Sequence, residues 1–185
     1  MHLPHGGEIQ GVSLLQPLIH TDARGAFYES RSLAKLRALG LHDGIFSQEN
    51  CSTSRRGTLR GLHYQSGEHA QSKLIWLTSG RIYDVVVDLR RSSPTYGRWQ
   101  GRYLDATRLE RLFLPAGLAH GFLALENNTT VCYACTCPYA PTAERALRWN
   151  DRDLAIEWPI GIGLEPIVSP KDAAAAAFAD CEKYS

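Results

Sequence analysis

Hydrophobic positions along this chain fall in short runs rich in β-branched, aromatic and leucine residues: IQGVSLLQPLI, KLIWLTSGRIYDVVVDL, WQGRYLD, LERLFLP, HGFLALE and TTVCYACTC. Gly, Pro, Asn and Asp interrupt them at the roughly 8–12-residue spacing of β-sandwiches and barrels, so each run predicts strand. TSGR (78–81) and ENNTT (126–130) predict hairpin turns, and PAG (115–117) predicts a turn that delivers His120 to the next strand. Two stretches predict helix. SRSLAKLRAL sets Leu33, Leu36 and Leu39 on one apolar stripe. SPKDAAAAAFAD places Ser169, Pro170 and Asp172 at the N-cap, N1 and N3 positions ahead of an alanine run, predicting a C-terminal helix over about 170–180.

The sum is a mainly β fold, a sandwich or jelly-roll barrel with a few peripheral helices. No repeat, linker or composition break divides residues 1–185, so one domain is expected. A formal charge of +1, with arginines scattered singly or in pairs, points away from nucleic acid and towards a small anionic ligand met locally. The N-terminus lacks a basic segment followed by an apolar one, and no apolar run reaches the length of a membrane span. Five cysteines without a regular framework suit reduced thiols, so a cytoplasmic protein is expected.

Three chemistries compete for His63 in RGTLRGLHYQ. His63 and His120 lie in separate strands, as metal-binding histidines of small barrels do, but Gly61 and Gln65 stand where a second ligand two residues away would be. Cys132, Cys135 and Cys137 superficially resemble a zinc site, yet strand alternation separates Cys132 from the other two. No nucleophile elbow, phosphate loop or dinucleotide fingerprint is present. Acid–base chemistry by His63 fits best, with Arg60 and Lys73 near it in sequence and Tyr133 a plausible acid. A lone strand histidine is more often structural, and Arg60 and His63, three apart, belong on opposite faces unless Gly61 hosts a bulge.

The ordered succession DARGAFYES, FSQENCSTS, RGTLRGLHYQ, VVVDLRRSSPTYGRW, LFLPAGLAHGFLAL, ERALRWNDRDLAIEWP and SPKDA resembles the dTDP-4-dehydrorhamnose 3,5-epimerase family, from about residue 9 to residue 179. The resemblance implies a metal-free cupin jelly roll, a homodimer with exchanged N-terminal strands, a nucleotide-diphospho-4-keto-6-deoxyhexose substrate and no cofactor. It implies that His63 is the general base, Tyr133 the acid on the opposite face, Lys73 the partner of the enolate, and Asp172 the partner of the base. Asp172 has a rival role as a helix-capping carboxylate. Arg24, Glu29, Gln48, Asn50, Arg60, His120, Tyr139, Glu144 and Lys171 match ligand-contacting positions. The chain reads ACTCPYAPTAER where double epimerases commonly read KTTDYYSPESER, so Pro138 replaces a tyrosine. Relatives that invert a single carbon also vary here, which keeps a monoepimerase, acting at C3 or C5 only on a dTDP-, CDP- or GDP-linked 4-keto sugar, as the alternative. More remote alternatives are a metal-dependent cupin and a binding module without catalysis.

Overall fold

The computed structural model describes residues 6–38, 46–161 and 165–185. Twelve strands run in chain order: β1 Ser13–Leu15, β2 Ile19–Asp22, β3 Gly25–Tyr28, β4 Gln48–Ser54, β5 Leu59–Gln65, β6 Lys73–Ser79, β7 Arg81–Asp88, β8 Trp99–Asp105, β9 Arg111–Leu114, β10 Leu118–Ala124, β11 Thr129–Cys135 and β12 Glu144–Ala146. Helix α1 spans Leu33–Ala38 and α2 spans Pro170–Ala173. The front sheet has the order β1-β9-β6-β11-β4 and the back sheet the order β12-β5-β10-β7-β8, while β2 and β3 pair as a separate ribbon. This is the jelly-roll sandwich that the strand spacing implies.

The connections differ from the expected ones. TSGR joins β6 of the front sheet to β7 of the back sheet, and ENNTT joins β10 of the back sheet to β11 of the front. Neither is a hairpin. Strand β6 already has β9 and β11 as neighbours, and β7 has β10 and β8, so the two turns are corners that carry the chain across the sandwich.

Alternation along the strands then sorts the side chains. Ile75, Leu77, Ile82, Val86, Leu112, Leu114, Phe122 and Val131 meet between the sheets and fill one part of the interior. The residues of opposite parity on the back sheet, Tyr83, Val85, Val87, Ala119 and Leu123, pack under the C-terminal segment with Leu154, Trp158 and Phe178. Strands β7 and β10 are thus covered on both faces, which explains why they read as nearly continuous apolar runs. Leu36 of α1 is buried with Leu74 and Phe113 on the outer face of the front sheet. Leu33 is partly exposed, and Leu39 lies outside the described residues.

The C-terminal helix is much shorter than the alanine run suggests. Ser169 caps it, its hydroxyl accepting from the Asp172 amide at 3.1 Å, and Pro170 occupies the first turn, but α2 stops at Ala173. Ala176 bridges to Leu147, the Arg148 amide donates to the Ala176 carbonyl, and the Phe178 amide donates to Asp151. These tertiary pairings override helix propensity, which is a weak preference over so few residues.

Candidate active site

The interior that is not filled by apolar side chains is a cavity of about 400 Å³, lined from both sheets. The front sheet contributes Gln48, Asn50 and Ser52 from β4, Lys73 from β6 and Tyr133 from β11. The back sheet contributes Arg60, His63 and Gln65 from β5, His120 and Phe122 from β10, and Glu144 from β12. Gln71 and Tyr139 close the rim.

Arg60 and His63 share this cavity because β5 is irregular. His120 is opposite His63 and Phe122 is opposite Arg60, so β5 carries one more residue than β10 between the two pairs. The irregularity sits at Gly61, whose φ of +120° suits glycine alone. A Cβ there would fall 2.6 Å from the Gly121 Cα and 2.7 Å from the His120 carbonyl oxygen.

Behind His63, the Asp172 carboxylate of α2 takes the ring Nε2 at 2.6 Å and the Gly61 amide at 3.2 Å. Asp172 is therefore held at N3 by Ser169 while its carboxylate is turned to β5. Burial alone raises its pKa, but the hydrogen bond and charge of His63, the Gly61 amide and the Ser169 hydroxyl outweigh burial and hold the carboxyl below the usual range. A second pair lies beside it, with His120 Nε2 at 2.7 Å from Asp84 Oδ2 and both residues buried.

On the facing wall, burial pushes the Tyr133 phenol up, opposed only in part by Arg60, so it is protonated at neutral pH. The Lys73 ammonium sits 5.9 Å from the centre of the Tyr133 ring and donates to the His63 carbonyl at 3.5 Å. Burial lowers its pKa, and the negative charges of Asp84 and Glu144 work against that. His63 and Tyr133 thus belong to opposite sheets and face one cavity, with Lys73 alongside.

The remaining expected residues divide. Gln48 Nε2 donates to Asn50 Oδ1, and Arg60 Nε donates to the Ser54 hydroxyl, leaving these polar groups ordered along the wall. The Tyr139 hydroxyl donates to Glu144, which also pairs with Lys171 at the outer rim. Burial raises the Glu144 carboxyl, but these two partners bring it below its ordinary value. Arg24 and Glu29 are not in the cavity. Arg24 is exposed on the β2–β3 ribbon and clasps Asp22, and Glu29 pairs with Lys35 of α1.

Among the lining residues that escaped sequence reading are Ser52, Gln65 and Gln71. Gln65 is buried; its Nε2 donates to the carbonyls of His69 and Pro138, and its Oε1 accepts from the Ala140 amide. Gln71 donates to the carbonyls of Cys137 and Pro138. The two amides pin the 137–140 wall, which carries Tyr139. The available signal was parity, since Gln65 is two residues after His63 and so shares its face. Among the described residues no group of three or more His, Cys, Asp or Glu is arranged to hold a metal ion.

Residues 7–180 match the family model described as dTDP-4-dehydrorhamnose 3,5-epimerase. The enzyme of that name from Pseudomonas aeruginosa is 43% identical over 176 residues, which cover 95% of this chain and 96% of that one. The dTDP-6-deoxy-D-glucose-3,5-epimerase of Legionella pneumophila, solved in complex with dTDP-4-keto-L-rhamnose, superposes with a TM-score of 0.88 at 38% identity, covering 97% of this chain and 94% of that one. ChmJ, a 3'-monoepimerase from Streptomyces bikiniensis solved with dTDP-quinovose, gives 0.86 at 38% identity, covering 97% and 88%. A match over nearly the whole chain, at this identity and on this fold, means that the protein belongs to the dTDP-4-dehydrorhamnose 3,5-epimerase family.

Proposed function

We propose that the protein epimerises a dTDP-linked 4-keto-6-deoxyhexose at C3 and C5 by proton removal and return. The observation that carries this reading is the placement of His63 and Tyr133 on opposite walls of one cavity, with Lys73 between the sheets beside them. A ketone at C4 acidifies the hydrogens on both neighbouring carbons, so the reaction needs a base, an acid and a partner for the enolate oxygen. His63, oriented by Asp172, takes the proton; the electron pair moves into the C3–C4 or C4–C5 bond and onto O4. The Lys73 ammonium stabilises the oxyanion. Tyr133, protonated at neutral pH, returns a proton to the carbon from the other side, and inversion follows from that geometry.

Gln48, Asn50, Arg60, His120, Tyr139, Glu144 and Lys171 surround the space that the sugar and its diphosphate would fill, and Arg60 supplies a bidentate cation. Arg24 and Glu29 reach such a ligand only if a second copy of the chain lends its β2–β3 ribbon. That ribbon leaves Phe27 73% exposed and Ile19 40% exposed, next to Leu18 at 74%, which is apolar surface suited to a partner. A homodimer with exchanged ribbons accounts for both features. No described helix is long and apolar enough to cross a membrane, and a cytoplasmic site would give access to nucleotide sugars.

One observation favours a single-carbon variant. Pro138 forms part of the wall that Gln65 and Gln71 pin, and it brings no phenol there. Incubation with dTDP-4-keto-6-deoxyglucose in deuterated water separates the readings. Deuterium at both C3 and C5 with inversion supports the double epimerase, and deuterium at C3 or C5 alone selects a monoepimerase. No incorporation at either carbon would overturn the proposal.

A further inference from the structure

Strands β4 and β11 are antiparallel neighbours, and their register sets Cys51 directly opposite Cys132. Alternation sends Asn50, Ser52 and Tyr133 into the cavity, so these two cysteines project from the other face of the front sheet. Their Sγ atoms stand 2.7 Å apart, in direct contact though longer than the ~2.05 Å of a sulfur–sulfur bond, so a small adjustment of the two side chains would close one. Cys51 is exposed on an edge strand, whereas Cys132 is buried beneath it. The other three thiols are placed differently: Cys135 faces Lys73 across the β11–β6 ladder, Cys137 is half-buried in the segment held by Gln71, and Cys181 packs in the C-terminal segment.

We propose that Cys51 and Cys132 are a modification site, an oxidisable dithiol that closes to a cross-strand disulfide when it meets a low-molecular-weight disulfide. The Cys51 thiolate attacks one sulfur of the oxidant RSSR, forming Cys51–S–S–R and releasing RS⁻, which takes up the proton lost by Cys51. Cys132 then gives up its proton and attacks the Cys51 sulfur, and the second RS⁻ leaves with that proton. Two protein thiols are oxidised and one RSSR is reduced to two RSH. The order follows from access, since only Cys51 is open to solvent. It agrees with the Cys132 thiol, which burial and the neighbouring Cys51 push up to about 11. The product bolts the edge strand that carries Gln48 and Asn50 to the strand that carries Tyr133, closing a loop between residues 81 apart in sequence.

Reduced protein, desalted and exposed to oxidised glutathione, tests this. Intact mass should show the loss of two hydrogens without a glutathione adduct, and a non-reduced peptide map should join Cys51 to Cys132. The thermal midpoint should rise by roughly 5–10 °C and return on treatment with dithiothreitol, as expected for a cross-link closing a long loop. Cys51→Ser should lose the cross-link and the shift together while keeping its reduced midpoint near that of the reduced wild type. The proposal is overturned if wild type retains five free thiols. It is equally overturned by a stable glutathione adduct on Cys51 beside a free Cys132, or by a cross-link to any other cysteine or between chains.

Discussion

Replacing Gly61 by alanine tests how the site is assembled, because Gly61 carries the irregularity that turns Arg60 and His63 to one face. Two costs follow from the geometry. A side chain at φ +120° is strained by about 1–3 kcal/mol. The new Cβ would also lie 2.6 Å from a backbone atom of β10, and ordinary contact begins at 3.4 Å, so the two strands must part by about 0.8 Å. Neither partner is a flexible side-chain end, so overpacking adds about 1–3 kcal/mol. A central loss of about 4 kcal/mol lowers the thermal midpoint of a chain this size by roughly 8–16 °C without unfolding it at room temperature. Displacing His63 by that distance should also lower kcat about 100-fold. Gly57→Ala is the control. Gly57 has φ +84°, but nothing lies within 4 Å of the point where its Cβ would stand, so only the strain should appear, with kcat unchanged. Thermal melts and deuterium exchange into the sugar measure both quantities. Equal midpoints and equal rates for the two variants would refute the role given to the bulge.

Asp172→Asn keeps the Ser169 cap but offers one acceptor oxygen to two donors, the His63 ring and the Gly61 amide. Steady-state assays should show kcat falling by about 10²–10⁴ with KM changed little, and wild-type turnover would remove Asp172 from the mechanism. Tyr133→Phe leaves the His63–Asp172 pair intact and should slow inversion by at least about 100-fold, judged by NMR of the product; retained inversion would assign the proton return elsewhere. Asp88 is fully buried, and although burial raises its carboxyl, the bonds from Arg90, Ser93 and Thr95 bring it below its ordinary 3.8. A depressed folded value means stabilisation that is complete above the unfolded value and is lost as pH falls through the folded one. Urea midpoints should therefore drop below about pH 4, and Asp88→Asn should flatten that drop while costing roughly 3–5 kcal/mol at neutral pH through the stranded Arg90. An unchanged acid slope in the variant would contradict this.

Strands with at least one apolar face were legible in the sequence, and β8 starts and ends where WQGRYLD does. Strand β4 was not, because QENCSTS turns polar side chains to a wet cavity on one face and lies at a sheet edge. Its residues follow alternation, but the usual contrast between apolar and polar faces is absent. The connections were misread for another reason. A turn that returns to its own sheet and one that crosses to the facing sheet draw on the same Gly and Asn residues at the same spacing. What separates them is long-range pairing, here β6 with β9 and β11 rather than with β7. The alanine run failed likewise, since the bond from Arg148 to Ala176 is invisible locally.

The candidate site shows both limits in one strand. Arg60 and His63, three residues apart, could share a face only through an interruption of the two-residue period, and a glycine lay between them to permit it. Parity would have placed Gln65 with His63, yet its task of holding the Pro138 and Ala140 wall depends on a loop more than seventy residues away. Asp172 is more distant still, and its carboxylate was ambiguous because the N3 position of a short helix is itself a good place for an acid. The ambiguity ends with the Ser169 hydroxyl, which holds the helix start and frees the carboxylate for β5. A helix of four residues contributes little by its length; its use here is to fix one acid behind one histidine, and that explains why α2 can stop at Ala173 without cost to the site.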